Sequence, residues 1–71
     1  MNKRLDVDRL VFLCGGRQAV LAMLASEGVR LGDRTVEKWE RIGMIPMQRY
    51  IILLRAMVKS GKLIKLEDYI A

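Results

Sequence analysis

The sequence predicts an all-α domain of four to five short helices, and three observations carry that expectation. Apolar residues recur at steps of three and four through almost the whole chain, the spacing that lines side chains along one face of a helix. The turn-forming residues (Gly15-Gly16, Gly28, Gly32, Gly43, Pro46 and Gly61) fall between the periodic stretches rather than inside them. Apolar residues make up 52% of the 71, more than a chain too polar to offset its ordering entropy would carry. So short a sequence forms one small domain, over residues 1–71, that buries only about 60% of its unfolded surface.

The elements follow in order. Asp6 is the expected cap of a first helix over 6–14, whose Val7, Leu10, Val11 and Cys14 share one face. Gly15-Gly16 ends it. A second helix spans 17–27 with Val20, Leu21, Leu24 and Ala25 inward, and Ala19, Ala22 and Ala25 lack bulk and admit a close neighbour. Residues 28–32 form a turn anchored by Val29 and Leu31. Asp33 is then expected to cap a third helix over 34–42, with Val36, Trp39 and Ile42 inward and Gly43 just past its end. Pro46 suits the first position of a fourth helix over 47–59, because its missing amide costs nothing there. That helix carries a core stripe of Tyr50, Ile51, Leu53, Leu54, Met57 and Val58, with Ile52 left over. Leu63, Leu66, Tyr69 and Ile70 fit a short closing helix within 62–71.

Several classes of function are excluded on residue chemistry. Cys14 is the single cysteine and histidine is absent, so an internal disulfide and the usual zinc spacings lack their residues. No cofactor or metal is expected. Ser26 and Ser60 have no histidine to activate them, and Cys14 lies on a predicted core face, where a thiol packs as a small hydrophobe. The adjacent pairs Asp6/Asp8 and Glu67/Asp68 read as helix-start charges. Neither Gly15-Gly16-Arg17 nor Ser60-Gly61-Lys62 has the spacing of a phosphate loop. No enzyme and no small-molecule substrate are expected. The longest apolar runs, 11–16 and 19–25, fall far short of the ~20 residues of a membrane span. Asp6 and Asp8 stand where a signal peptide would carry its apolar core. The expectation is a soluble, cytoplasmic protein with no membrane partner.

The informative stretch is 15–46. A helix, a glycine-bearing turn and a second short helix is the outline of a helix-turn-helix, whose second helix fits the DNA major groove. With Val36 and Trp39 inward, Arg34, Lys38 and Arg41 share one outward face, flanked by Thr35, while Glu37 and Glu40 fall away from it. Arg34, Thr35, Lys38 and Arg41 are therefore the candidates for reading base edges. Arg17, Gln18, Arg30 and Arg49 are the candidates for backbone contact. The net charge of +5 agrees with a polyanionic partner.

On Gly15-Gly16-Arg17-Gln18-Ala19-Val20, Thr35-Val36-Glu37-Lys38-Trp39 and Gly43-Met44-Ile45-Pro46, the chain resembles the Cro and phage-repressor (lambda-repressor-like) class of helix-turn-helix protein. The resemblance spans roughly 10–57. It implies an all-α domain that binds an operator in double-stranded DNA, commonly as a homodimer, and acts as a transcriptional repressor of the phage or mobile-element kind. It keeps Val36 and Trp39 as core, Arg34, Thr35 and Lys38 as base readers, and Arg17, Gln18 and Arg49 as backbone contacts. The connection between Leu24 and Val36 is longer here than the compact turn of that class.

Three further expectations accompany this reading. Residues 34–46 and the tail 63–70 are also similar to MerR-type regulators and phage excisionases, but that winged arrangement takes a two-stranded hairpin after the recognition helix, where 47–59 reads as helix. A rival from another class is a helix-turn-helix protein-interaction module, such as an antitoxin or anti-repressor. It is motivated by the surplus apolar surface and by the low charge of 15–43, where five cations face four anions. The wide apolar content of 47–59 has two readings: the small domain packs every apolar residue against its own tail and first helix, or Ile52, with parts of Leu63, Tyr69 and Ile70, forms a homodimer patch.

Overall fold

The computed structural model describes residues 5–62 together with Tyr69 and Ile70. Among these, four helices follow one another: α1 Val7–Cys14, α2 Arg17–Ser26, α3 Asp33–Ile42 and α4 Met47–Lys59. Asp6 caps α1 as expected, its carboxylate accepting from the Arg9 amide at 3.0 Å. At the other end of α1 the Gly15 amide donates to the Phe12 carbonyl and the Gly16 amide to that of Val11, the paired bonds of a Schellman ending. Gly15 takes φ 110° there, and a Cβ would stand 3.2 Å from that of Ala19. The chain therefore turns through a bend of 76° into α2. Gly43 ends α3 in the left-handed region, with its amide and that of Met44 both bonded to the Trp39 carbonyl.

The core takes side chains from every helix: Val7, Leu10, Val11 and Cys14; Val20, Met23 and Leu24; Val36 and Trp39; Leu53, Ala56 and Met57. α2 lies at its centre and packs against the other three helices. Val29 and Leu31 seal the connection between α2 and α3 against this core, and Lys59 reaches back to Glu27 at 3.1 Å. Cys14 is fully buried, and burial pushes its thiol pKa up, so it packs as the small hydrophobe its position implied.

The structure corrects several sequence-based expectations. Asp33 does not cap α3; it is the first helical residue, and Gly32 occupies the cap position without a side-chain bond. Ile42 points outward, 54% exposed, because at 100° per residue it stands about 120° around the helix from Val36. On α4, Ile51 and Val58 are exposed, while Ala56 is buried and Ile52 is half-buried against the core. The stripe facing α2 is thus narrower than the apolar content suggested, and Met47, Ile51 and Val58 remain on the surface.

Chain closure also differs from the expected fifth helix. Tyr69 and Ile70 are not helical: Ile70 pairs antiparallel with Leu5, and the Asp6 amide donates to the Tyr69 carbonyl at 2.7 Å. Tyr69 is buried with its hydroxyl 2.9 Å from that of Tyr50, and desolvation followed by this bond pushes its pKa up. Tyr69 therefore belongs to the core and not to an external dimer patch. The remaining tail residues, including Leu63 of that patch and Leu66 of the expected helix, lie outside the described residues. No single described helix is long and apolar enough to cross a membrane. Where a winged fold would place its hairpin, Met47–Lys59 is helix.

Leu24 is fully buried on the central helix, and truncating such a leucine to alanine costs about 2–5 kcal/mol. A domain of this size has only on the order of 5 kcal/mol in total. Leu24→Ala is expected to lose most of its cooperative thermal transition by circular dichroism, whereas Val58→Ala, at a 73% exposed position, is expected to melt close to wild type.

Candidate nucleic-acid interface

The ten residues of α3 divide among three chemistries by position alone. Val36 and Trp39 enter the core. Asp33, Glu37 and Glu40 recur at steps of four and three along one flank, and Arg34, Lys38 and Arg41 repeat the same steps one residue later. One residue is 100° of helix, so the acidic row and the basic row lie side by side, with the basic row farther from the core. Thr35 and Ile42 close the circle on the opposite flank.

The acidic flank meets the start of α2. Arg17 Nε donates to Glu40 Oε1 at 2.8 Å, and its Nη1 stands 3.7 Å from Asp33 and 3.9 Å from Glu37. Gln18 Nε2 adds a bond to Asp33 Oδ1 at 3.3 Å. Glu40 is the most enclosed of the three acids, its side chain only 19% exposed, and the Arg17 guanidinium gains basicity chiefly through its bond to it. Glu40 also acts on the Asp8 carboxyl of α1. A hydrogen bond to the Glu40 carboxyl, then desolvation and repulsion from Glu40 and Asp6, raise the Asp8 pKa against the opposing pull of Arg17.

The basic row makes no ion pair among the described residues. Arg34, Lys38 and Arg41 line one shallow cleft together with Glu37, so Glu37 borders the cationic strip instead of falling clear of it. Arg34, Thr35 and Lys38 also edge a second cleft of about 550 Å³, floored by Trp39, Ile42, Met44 and Pro46. Ile42 and Met44 were not among the sequence-derived candidates. Ile42, expected inward, is the last residue of α3, and only the turn after Gly43 brings Met44 and Pro46 alongside the helix.

The eight sequence-derived residues thus separate into groups. Arg34, Thr35, Lys38 and Arg41 are brought together on one surface. Arg17 and Gln18 bond carboxylates of α3, while the Arg17 side chain keeps 41% of its surface exposed and Gln18 stays exposed. Arg30, exposed in the α2–α3 connection, and Arg49, half-buried near the start of α4, line neither cleft and make no ion pair among the described residues. No protein-family model, curated protein or solved structure matches the chain.

The raised Asp8 pKa has a stability signature. A carboxyl whose folded pKa lies above its unfolded value favours folding when protonated, and that contribution is lost as pH rises through the folded pKa. Asp8 is raised above 3.8, so ionised Asp8 burdens the fold at neutral pH. The difference in Tm between Asp8→Asn and wild type is expected to shift in favour of the variant as pH rises from about 4 to 7. A difference that stays flat across that window in parallel melts would refute the coupling.

Proposed function

We propose that this chain is a sequence-specific double-stranded DNA-binding transcriptional regulator, acting as a homodimer that occupies promoter DNA and excludes polymerase. The observation that carries the reading is the outward row Arg34, Lys38 and Arg41, unpaired among the described residues, on a ten-residue helix whose acids are drawn aside by Arg17. A helix of that length fits the major groove, and Arg and Lys donors match the acceptor pair that guanine presents there. Thr35 at the edge of the row can donate to a base or offer its methyl to thymine. Arg30 and Arg49 supply charge for phosphates flanking the groove. One short helix covers only a few base pairs, so a two-fold pair of domains reading half-sites about one helical turn apart supplies useful specificity.

A second reading rests on the apolar cleft. Ile42 and Met44, 54% and 67% exposed, give the face of α3 more apolar surface than phosphate contact uses, which favours a helix-turn-helix module that binds a protein, as an antitoxin or anti-repressor does. A salt titration on mixed-sequence duplex separates the two, since counterion release produces a steep slope only where several phosphates are neutralised.

The direct test is selection of bound duplexes from a random pool. Enrichment of a palindrome is the expected result, and recovery of no preferred sequence from folded protein would overturn the reading. On the selected site, Arg34→Ala and Lys38→Ala are each expected to weaken binding by about 1–3 kcal/mol, with a smaller loss on random duplex. Equal losses on both, measured by fluorescence anisotropy, would reassign these side chains to phosphate.

A further inference from the structure

Sequence reasoning gave Arg17 to the DNA backbone, and the geometry gives it another task. Its one guanidinium stands within 4 Å of three carboxylates, those of Asp33, Glu37 and Glu40, all from the acidic flank of α3. These three acids alternate with Arg34, Lys38 and Arg41 one residue apart. Anionic charge that close to the cationic strip acts directly against an approaching polyanion, since the separation is under a Debye length of about 10 Å at 0.1 M salt. Arg17 offsets part of that charge. Because the planar guanidinium carries donors in a fixed fork, it also ties the first and last turns of α3 to the start of α2.

We propose that Arg17 is a positioning and charge-masking residue for α3: by gathering Asp33, Glu37 and Glu40 it keeps the acidic flank turned to α2 and the row Arg34, Lys38 and Arg41 turned to DNA, without itself touching a phosphate. The proposal rests on the DNA-binding reading. Gln18 assists through its bond to Asp33. Glu40, bonded at 2.8 Å and the most enclosed of the acids, is the principal anchor.

The test is a cycle of variants of the full chain, with duplex affinity measured by anisotropy over a range of NaCl. Arg17→Gln is expected to weaken binding on the order of tenfold at low salt, with the salt slope within half a unit of wild type. Glu37→Gln with Glu40→Gln is expected to raise affinity much more when combined with Arg17→Gln than in the otherwise native chain, bringing the combined variant back near wild type. Arg17→Lys guards against a variant that fails to fold. It keeps the charge but replaces the fork by a single ammonium, so affinity intermediate between wild type and Arg17→Gln is expected, restored by the same two glutamine substitutions. A direct phosphate contact would behave otherwise. Arg17→Gln would lower the slope by about one unit, Arg17→Lys would match wild type, and the glutamine substitutions would help equally in every background; that pattern overturns the proposal and leaves the DNA reading intact. Wild-type protein with no salt-dependent duplex binding overturns both.

Discussion

The seating of α3 on α2 is the constraint on which the surface chemistry depends. Only Val36 and Trp39 of the ten residues enter the core, and two apolar anchors three residues apart set the rotation of a helix about its axis. With that rotation set, the acids at 33, 37 and 40 and the bases at 34, 38 and 41 must lie where they do. A rotation of one residue's worth, about 100°, would carry the acidic row to the position of the basic row. Burial of one aromatic and one branched side chain thus decides the sign of the charge the helix presents, and the Arg17 contacts reinforce the choice from outside the core.

The small size of the domain explains how its apolar residues are distributed. α2 is the hub, and a central helix in contact with three others has little room for a polar flank. Its Ala19 admits the close approach of Gly15, while Ala22 is exposed, and Arg17 and Gln18 at its start reach the carboxylates of α3. α4 meets α2 through Leu53, Ala56 and Met57. Beside that narrow stripe Tyr50, Ile52 and Leu54 are half-buried against the core, and Met47, Ile51 and Val58, farther round the helix, stay outside. Tyr69 fills the space beside Tyr50, and the backbone pairing at Leu5 and Ile70 draws the two ends of the described chain together.

Much of this was legible in the sequence, and all of it through local rules. The four helices, the Asp6 cap, the glycine endings at Gly15 and Gly43 and the buried face of α1 follow from side-chain spacing and from the backbone freedom of glycine, which act within one or two turns. The basic row follows from the spacing once Val36 and Trp39 face the core. Periodicity misjudges the width of the buried stripes of α3 and α4, putting Ile42, Ile51 and Val58 inward and omitting Ala56, because an apolar residue near the edge of a stripe is buried only if a neighbouring helix reaches it. Asp33 has the composition of a cap, but the Gly32 backbone enters the helix first and leaves the Asp33 carboxylate to Gln18 and Arg17.

By itself the sequence determined α1 to α4, the glycine endings of α1 and α3, and the spacing of acids and bases along α3. Tertiary structure alone decided what each row faces. Whether Arg17 meets solvent or three carboxylates depends on the turn at Gly15-Gly16 and on the crossing of α2 and α3, and whether Met44 and Pro46 flank α3 depends on the path after Gly43. These are contacts between residues distant along the chain, set by how a few buried side chains fit together, and no local spacing encodes that fit.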